Sequence, residues 1–171
     1  MPVNPSVSFL ALLTVPNQPS LTHALGRLAI AHTHLELILR YCVKTIADQT
    51  IEQALDATEG NRISDLRVKV KQLFKERRST ALEKTNLDAL LGRAKRLSEK
   101  RHSYLHRAWS ETAAGRAIMK GEDHRWGSAP SEAEILQVAE EIINLVVEIN
   151  EARLSGFIKD VVLRRQTSQV P

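Results

Sequence analysis

The sequence predicts an all-α fold: an up-and-down four-helix bundle with an irregular N-terminal arm and a loop or small hairpin between the third and fourth helices. Three observations predict it. Apolar residues recur at alternating steps of three and four over four segments, the period of a helix face. Two of these segments open on a Ser/Thr-x-x-Glu capping box. Aromatic residues make up only 4% of the chain, with 7 glycines and 6 prolines in 171 residues, a composition suited to Leu/Ile/Val/Ala helix packing rather than to aromatic-rich strands.

Residues 1–20 hold four of the six prolines and are expected to form the arm, with Pro19-Ser20 as the start signal for the helical domain at 21–165. Within the arm, the apolar run Val7 to Val15 is too short to span a bilayer and lacks a preceding basic stretch, so no membrane association is expected. It could pack on the body or on a partner subunit. From Leu21, the positions Leu25, Leu28, His32, Leu35, Leu39, Cys42 and Ile46 form one stripe of a long first helix. His32 takes a core position in that stripe. Glu36, one turn on, is placed to pair with His32, or to serve as a buried partner for Arg101.

Residues 48–61 read as a connection with a helical turn at Ile51 to Leu55, closed by Gly60-Asn61. Ile63, Leu66, Val70, Leu73 and Phe74 make a short second helix whose other faces carry Arg67, Lys69, Lys71 and Lys75. Thr80-Ala81-Leu82-Glu83 caps the third helix, which is expected to run to about Trp109. Periodicity stops between Ser110 and Ala129. Ser131 to Glu134 caps a fourth helix that continues through Gly156, with Ile143, Val146, Val147, Leu154 and Ile158 widening its apolar face. A stripe that broad suggests contact on two sides, bundle core on one and a second subunit on the other, hence a homodimer. Residues from Arg164 are polar, and 166–171 are expected to be a flexible tail.

Composition excludes several function classes. The single cysteine, Cys42, lies in an apolar run and reads as a buried structural thiol; with no intramolecular disulfide possible, a reducing cytoplasm is the expected location. There is no Gly-rich phosphate loop, His-Glu-x-x-His or Cys-x-x-Cys, so no cofactor is expected. His102 and His106 stand at i and i+4 and could share a metal, but they lack a third ligand, and no metal is expected. The net charge of +4 conceals an asymmetry: residues 62–107 carry 14 Lys/Arg against 5 Asp/Glu, a balance of +9 that leaves −5 for the rest. A basic half of this kind suits a polyanion such as RNA.

That basic half contains the one stretch that suggests chemistry. Leu87, Leu90, Ala94, Leu97, Arg101, Tyr104 and Ala108 form a core-facing stripe in which a guanidinium stands where another leucine would be expected. A charge there must be paired or open onto a cleft. Arg101 and His106 form an Arg-x4-His motif with polar His102 directly after the arginine, late in the third helix of a helical chain. Over residues 20–165 this resembles the HEPN superfamily, small four-helix bundles that are often metal-independent RNA-cleaving toxins or antiviral effectors. The resemblance implies that His106 handles the proton of a ribose 2′-OH and Arg101 stabilises the phosphorane, with His102 beside them. It also implies that Lys95, Arg96, Lys100 and Arg107 hold the RNA backbone, and that the site is composite, with two motifs facing across a dimer. Two residues after the motif histidine stands Ala108, where one toxin branch carries tyrosine. Five residues along an ideal helix leave Arg101 and His106 about 140° apart, so the helix must end or the arginine must curl round for both to serve one site. The competing expectation is a non-catalytic HEPN-like bundle that binds a nucleotide, a nucleic acid, an antitoxin or another protein partner.

Overall fold

The computed structural model describes residues 16–167; the predicted apolar run Val7 to Val15 lies outside them. The described chain is mostly helical with one small sheet. Its elements are α1 (Pro19–Ala47), α2 (Ile51–Asp56), α3 (Ile63–Lys75), α4 (Ala81–His106), β1 (Trp109–Glu111), β2 (Ala117–Lys120), β3 (Trp126–Ser128), α5 (Glu132–Leu154) and α6 (Phe157–Thr167).

Helix α1 starts two residues inside the predicted arm, because Pro19 at the first helical position has its φ already set and needs no N–H partner. Gln18, instead of capping the helix, donates through Nε2 to the Gly115 carbonyl at 2.8 Å and ties the start of α1 to the β1–β2 turn. Asp48, with φ 59 and ψ 49, ends the helix in the left-handed region. A capping box at Thr50 and Gln53 then opens α2. The Arg40 side chain reaches back to Thr58, bonding its hydroxyl at 2.7 Å as well as its carbonyl, so the connection is laid along α1 in the reverse direction.

This return path sets the chain directions, and they differ from the up-and-down order the sequence predicts. The start of α3 lies beside Glu36, while Arg77 just beyond its end bonds the Ile46 carbonyl, so α1 and α3 run parallel. Helix α4 runs against α3, with Arg67 Nε donating to the Leu91 carbonyl at 2.7 Å and Lys71 facing Asp88 at 2.9 Å. It also runs against α5, through Arg93 and Glu148 (Nη2 to Oε1, 2.9 Å). Arg153 near the end of α5 reaches Thr45 near the end of α1 at 3.4 Å, which makes those two parallel. Thus α1, α3 and α5 point one way and α4 the other. The physical reason is that the connection 48–62, too short in helix to form a bundle member, itself carries the chain back.

Helix α1 packs against each of the other five helices, most extensively against α5. Leu28, Leu35 and Leu39 of α1 meet Phe74 of α3 and Ile142 and Leu145 of α5 in a common buried core. The α4 stripe is buried at Leu87, Ala94 and Leu97 as expected, with Leu91 buried in place of the half-buried Leu90, but the helix stops at His106, short of the predicted Trp109. Arg107 is already extended (φ −82, ψ 153), and the Trp109 indole Nε1 donates to the Tyr104 carbonyl at 2.7 Å, satisfying a carbonyl of the last turn. Ala108 is therefore off the stripe and exposed.

In place of a loop or single hairpin, residues 109–128 form an antiparallel three-stranded meander, with Trp109 opposite Met119 and Ile118 opposite Ser128. Gly115, at φ 72, supplies the left-handed residue in the first turn. Ser131 and Glu134 form the predicted capping box of α5. The fourth helix does not continue through Gly156. The chain bends at Ser155-Gly156, where a Cβ on Gly156 would sit 3.0 Å from Ala152 Cα, and α6 continues to Thr167 where a tail was expected. Phe157 at its start meets the Phe74 ring edge-on, centroids 5.9 Å apart. On α5, Ile143 and Val147 remain 37% and 50% exposed, the surplus apolar face noted in the sequence. Among the described residues no helix is long and apolar enough to cross a membrane.

Leu35, fully buried, and Val68, 66% exposed, give a direct test of this packing. Leu35→Ala should cost about 2–5 kcal/mol in urea denaturation and Val68→Ala less than about 0.5 kcal/mol; equal effects would contradict the assigned core.

Candidate functional site

The end of α4 forms one wall of a cleft with about 930 Å³ of space. The α4 side chains facing it are Lys95, Ser98, Glu99, Arg101, His102, Ser103 and His106. Helix α1 contributes His32 and Glu36, the start of α3 contributes its N-cap Arg62 with Ser64 and Arg67, and Arg107 with Glu122 closes the edge nearest the sheet. Helical geometry explains which α4 residues share the wall. At about 100° per residue and with Arg101 at the origin, Lys95, Ser98, Glu99, His102, Ser103 and His106 fall between about 60° and 200° to one side. Arg96 and Lys100 fall at about 220° and 260°, beyond the edge of that arc.

The structure brings Arg101, His102, His106, Lys95 and Arg107 to one cleft and leaves out two expected members. Arg96 and Lys100 border a separate depression with Arg93 and Glu141, which removes them from this site. Conversely, Arg62, Ser64 and Arg67 were not singled out as site residues from the sequence. The available signal was Arg62 placed directly ahead of the first apolar residue of a basic helix.

Arg101 Nη1 lies 3.1 Å from His106 Nε2, so the arginine curls round to a histidine that is the last residue of the helix. A guanidinium N–H can only donate, which makes Nε2 the acceptor and the ring neutral, with its proton on Nδ1. The His106 pKa is lowered from its ordinary value, by desolvation first and then by the positive charge of Arg101 and by His102. The His102 ring is stacked obliquely on His106, with centroids 4.6 Å apart and planes at 40°. Arg101 Nε is buried without a hydrogen-bond partner among the described residues. The expected Arg101–Glu36 ion pair is absent; Glu36 instead approaches His32, Oε1 to Nδ1 at 3.6 Å, too far for a hydrogen bond.

His32 is only 8% exposed, as its place in the α1 stripe predicts. Burial, followed by the nearby charges of Arg101 and His106, lowers its pKa to about 4. The Glu36 carboxylate would favour the charged ring, but these effects outweigh it, so His32 is neutral at pH 7. Lys95 pairs with Glu99 at 3.7 Å, and Arg107 pairs with Glu122. Among the described residues no three His, Cys, Asp or Glu side chains converge as a metal would require. Cys42 is buried, its pKa pushed up to about 12 by that burial, and it is an inert thiol.

Comparison with protein-family models, with curated proteins and with solved structures gives no match.

The depressed His32 pKa links stability to pH. Its folded value lies below the ordinary 6.5, so between about pH 6.5 and 4 the unfolded chain binds the extra proton and stability falls as pH falls. The loss attributable to this group should be at most about 3 kcal/mol. Denaturant titrations at pH 7 and 4.5 should show a smaller drop for His32→Gln than for the wild type; identical drops would show that His32 does not carry the effect.

Proposed function

We propose that the protein is a metal-independent endoribonuclease of HEPN type, with α1, α3, α4 and α5 as its four-helix core. The observation that carries the proposal is the 3.1 Å contact between Arg101 and His106 at the floor of a cleft large enough for nucleotides, in spite of their unfavourable spacing on a helix. Imidazole is the side chain whose ordinary pKa lies near neutrality, and guanidinium stabilises phosphorane charge without risk of deprotonation. A bound phosphate draws the Arg101 fork to its oxygens and releases His106 Nε2, which takes the 2′-OH proton. The 2′ oxygen attacks phosphorus, the bond to the 5′ oxygen breaks, and His102 is placed to return a proton to that leaving oxygen. The products are a 2′,3′-cyclic phosphate and a 5′-hydroxyl end. Lys95 and Arg107 hold flanking phosphates.

The exposed Ile143 and Val147 of α5, with Leu37 of α1 nearby, support a homodimer that presents two such motifs. The resemblance carries with it a cytoplasmic toxin or antiviral role and control by an antitoxin or other protein partner. A second reading has one observation in its favour. Glu99 and Glu122 engage Lys95 and Arg107, and so set carboxylates at the mouth of a cleft meant for a polyanion. On that reading the protein is a non-catalytic HEPN-like module that binds a nucleotide, nucleic acid or protein.

Incubation with RNA in EDTA separates the two. Wild-type protein should cleave, with His106→Ala slower by about 10²–10⁴-fold and Arg101→Ala by about 10²–10³-fold at unchanged helicity. Because the His106 pKa is depressed, the rate should rise through a pH below 6.5 as the neutral ring forms. Cleavage by His106→Ala at the wild-type rate, or no cleavage of any RNA by the wild type, would move the assignment to the binding module.

A further inference from the structure

We propose that Arg62, the N-cap of α3, and Arg67 of α3 form a second anion subsite across the cleft from Arg101 and His106, holding a phosphate adjacent to the scissile one in a single-stranded RNA. The word scissile rests on the ribonuclease reading; the subsite itself rests on charge and geometry. Five Lys/Arg side chains border the cleft. Two have carboxylate partners, Lys95 with Glu99 and Arg107 with Glu122, whereas Arg62, Arg67 and Arg101 have none within 4.0 Å among the described residues. Three guanidiniums border the cleft against one carboxylate that no cation engages, Glu36, so positive charge is in excess there and an anion between them relieves their repulsion.

The two α3 arginines are prepared differently. Arg67 donates Nε to the Leu91 carbonyl at 2.7 Å, which fixes the plane of its guanidinium and leaves the terminal nitrogens for a ligand. Arg62 is exposed at the head of α3. The Asp65 carboxylate accepts from the Arg62 backbone N–H at 3.1 Å and from the Ser64 hydroxyl at 3.2 Å and makes no direct ion pair with the Arg62 guanidinium. The cleft volume of about 930 Å³ is at the upper end of small-ligand sites and exceeds what one phosphate group fills. With cations on opposite walls, consecutive phosphates of one strand are the anion that fits. A cleft walled by three helices admits a flexible strand that can bend into it, and not the convex surface of a duplex.

The test uses fluorescence anisotropy with a labelled short single-stranded RNA that is fully 2′-O-methylated, so that it binds but cannot be cleaved by 2′-OH attack. Arg62→Ala should weaken binding by about tenfold or more and reduce the slope of log affinity against log salt by about 0.7, the value for one single-strand phosphate contact. Arg67→Lys, which keeps the charge and loses the fork, should weaken binding severalfold with little change in slope. Lys75→Ala, at the far end of α3, should stay within about twofold of wild type, which controls for net charge. Equal affinity and slope for wild type and Arg62→Ala overturn the subsite, as does failure of the wild type to bind this RNA. It is also overturned if Arg62→Ala weakens ATP binding but not RNA binding, since the anion would then be a free nucleotide. Arg62-dependent binding by a protein that cleaves no unmodified RNA would sink the ribonuclease and leave the subsite standing. His106-dependent cleavage with unchanged affinity in Arg62→Ala would do the reverse.

Discussion

A guanidinium at position 101 of a stripe otherwise built from Leu87, Leu91, Ala94 and Leu97 is the constraint around which the end of this fold is arranged. Burying that charge in an apolar core would be prohibitively costly, so the helices cannot close over it. They part instead, and the gap between α1, α3 and the last turns of α4 is the cleft. The same constraint bears on the end of the helix. With the core face given up at Arg101, two further turns of α4 would have little to pack against, and the chain leaves the helix at Arg107. Trp109 then folds back to satisfy the Tyr104 carbonyl and begins the sheet that borders the cleft.

The electrostatics follow from this opening. Arg101 can only donate, so its contact with His106 selects the neutral tautomer with a lone pair at Nε2, and any oxyanion that competes for Arg101 frees that lone pair. On the proposed ribonuclease reading, substrate binding and base activation are thereby joined in one exchange of hydrogen-bond partners. His32, on the α1 wall, is kept uncharged at neutral pH by burial and by the same two residues, so it adds nothing to the positive charge that arginine and lysine give the cleft. The arginines that lack carboxylate partners come from α4 and from the start of α3, whereas Lys95 and Arg107 are paired with Glu99 and Glu122.

Much of this was legible in the sequence because its causes are local. Capping boxes at Thr80 and Ser131 mark helix starts through side-chain and backbone bonds three residues apart, and both form as expected. The α1 stripe fixes His32 as buried. What was not legible depends on nonlocal contacts. Periodicity cannot give chain direction, which here depends on Arg40 holding Thr58, 18 residues away. The break at Gly156 leaves the apolar pattern uninterrupted, since Phe157 and Ile158 continue to pack. Short strands such as Ala117–Lys120 have too few residues for an alternation to register. The resemblance assigns Arg96 and Lys100 to the site along with Lys95 and Arg107, although they border a separate depression. Arg62 and Arg67 reach the site from another helix, and only the tertiary fold brings them there.

The central claim is that Arg101 and His106 act as one unit, with the guanidinium donating to a neutral imidazole. Histidine ring nitrogen NMR, followed as a function of pH in the wild type and in Arg101→Gln, tests it most directly. The account predicts that wild-type His106 carries its proton on Nδ1 and titrates below 6.5, and that removing the guanidinium raises the titration toward the ordinary histidine value. A His106 ring that is protonated on Nε2 when neutral, or that titrates identically in the two proteins, would contradict it.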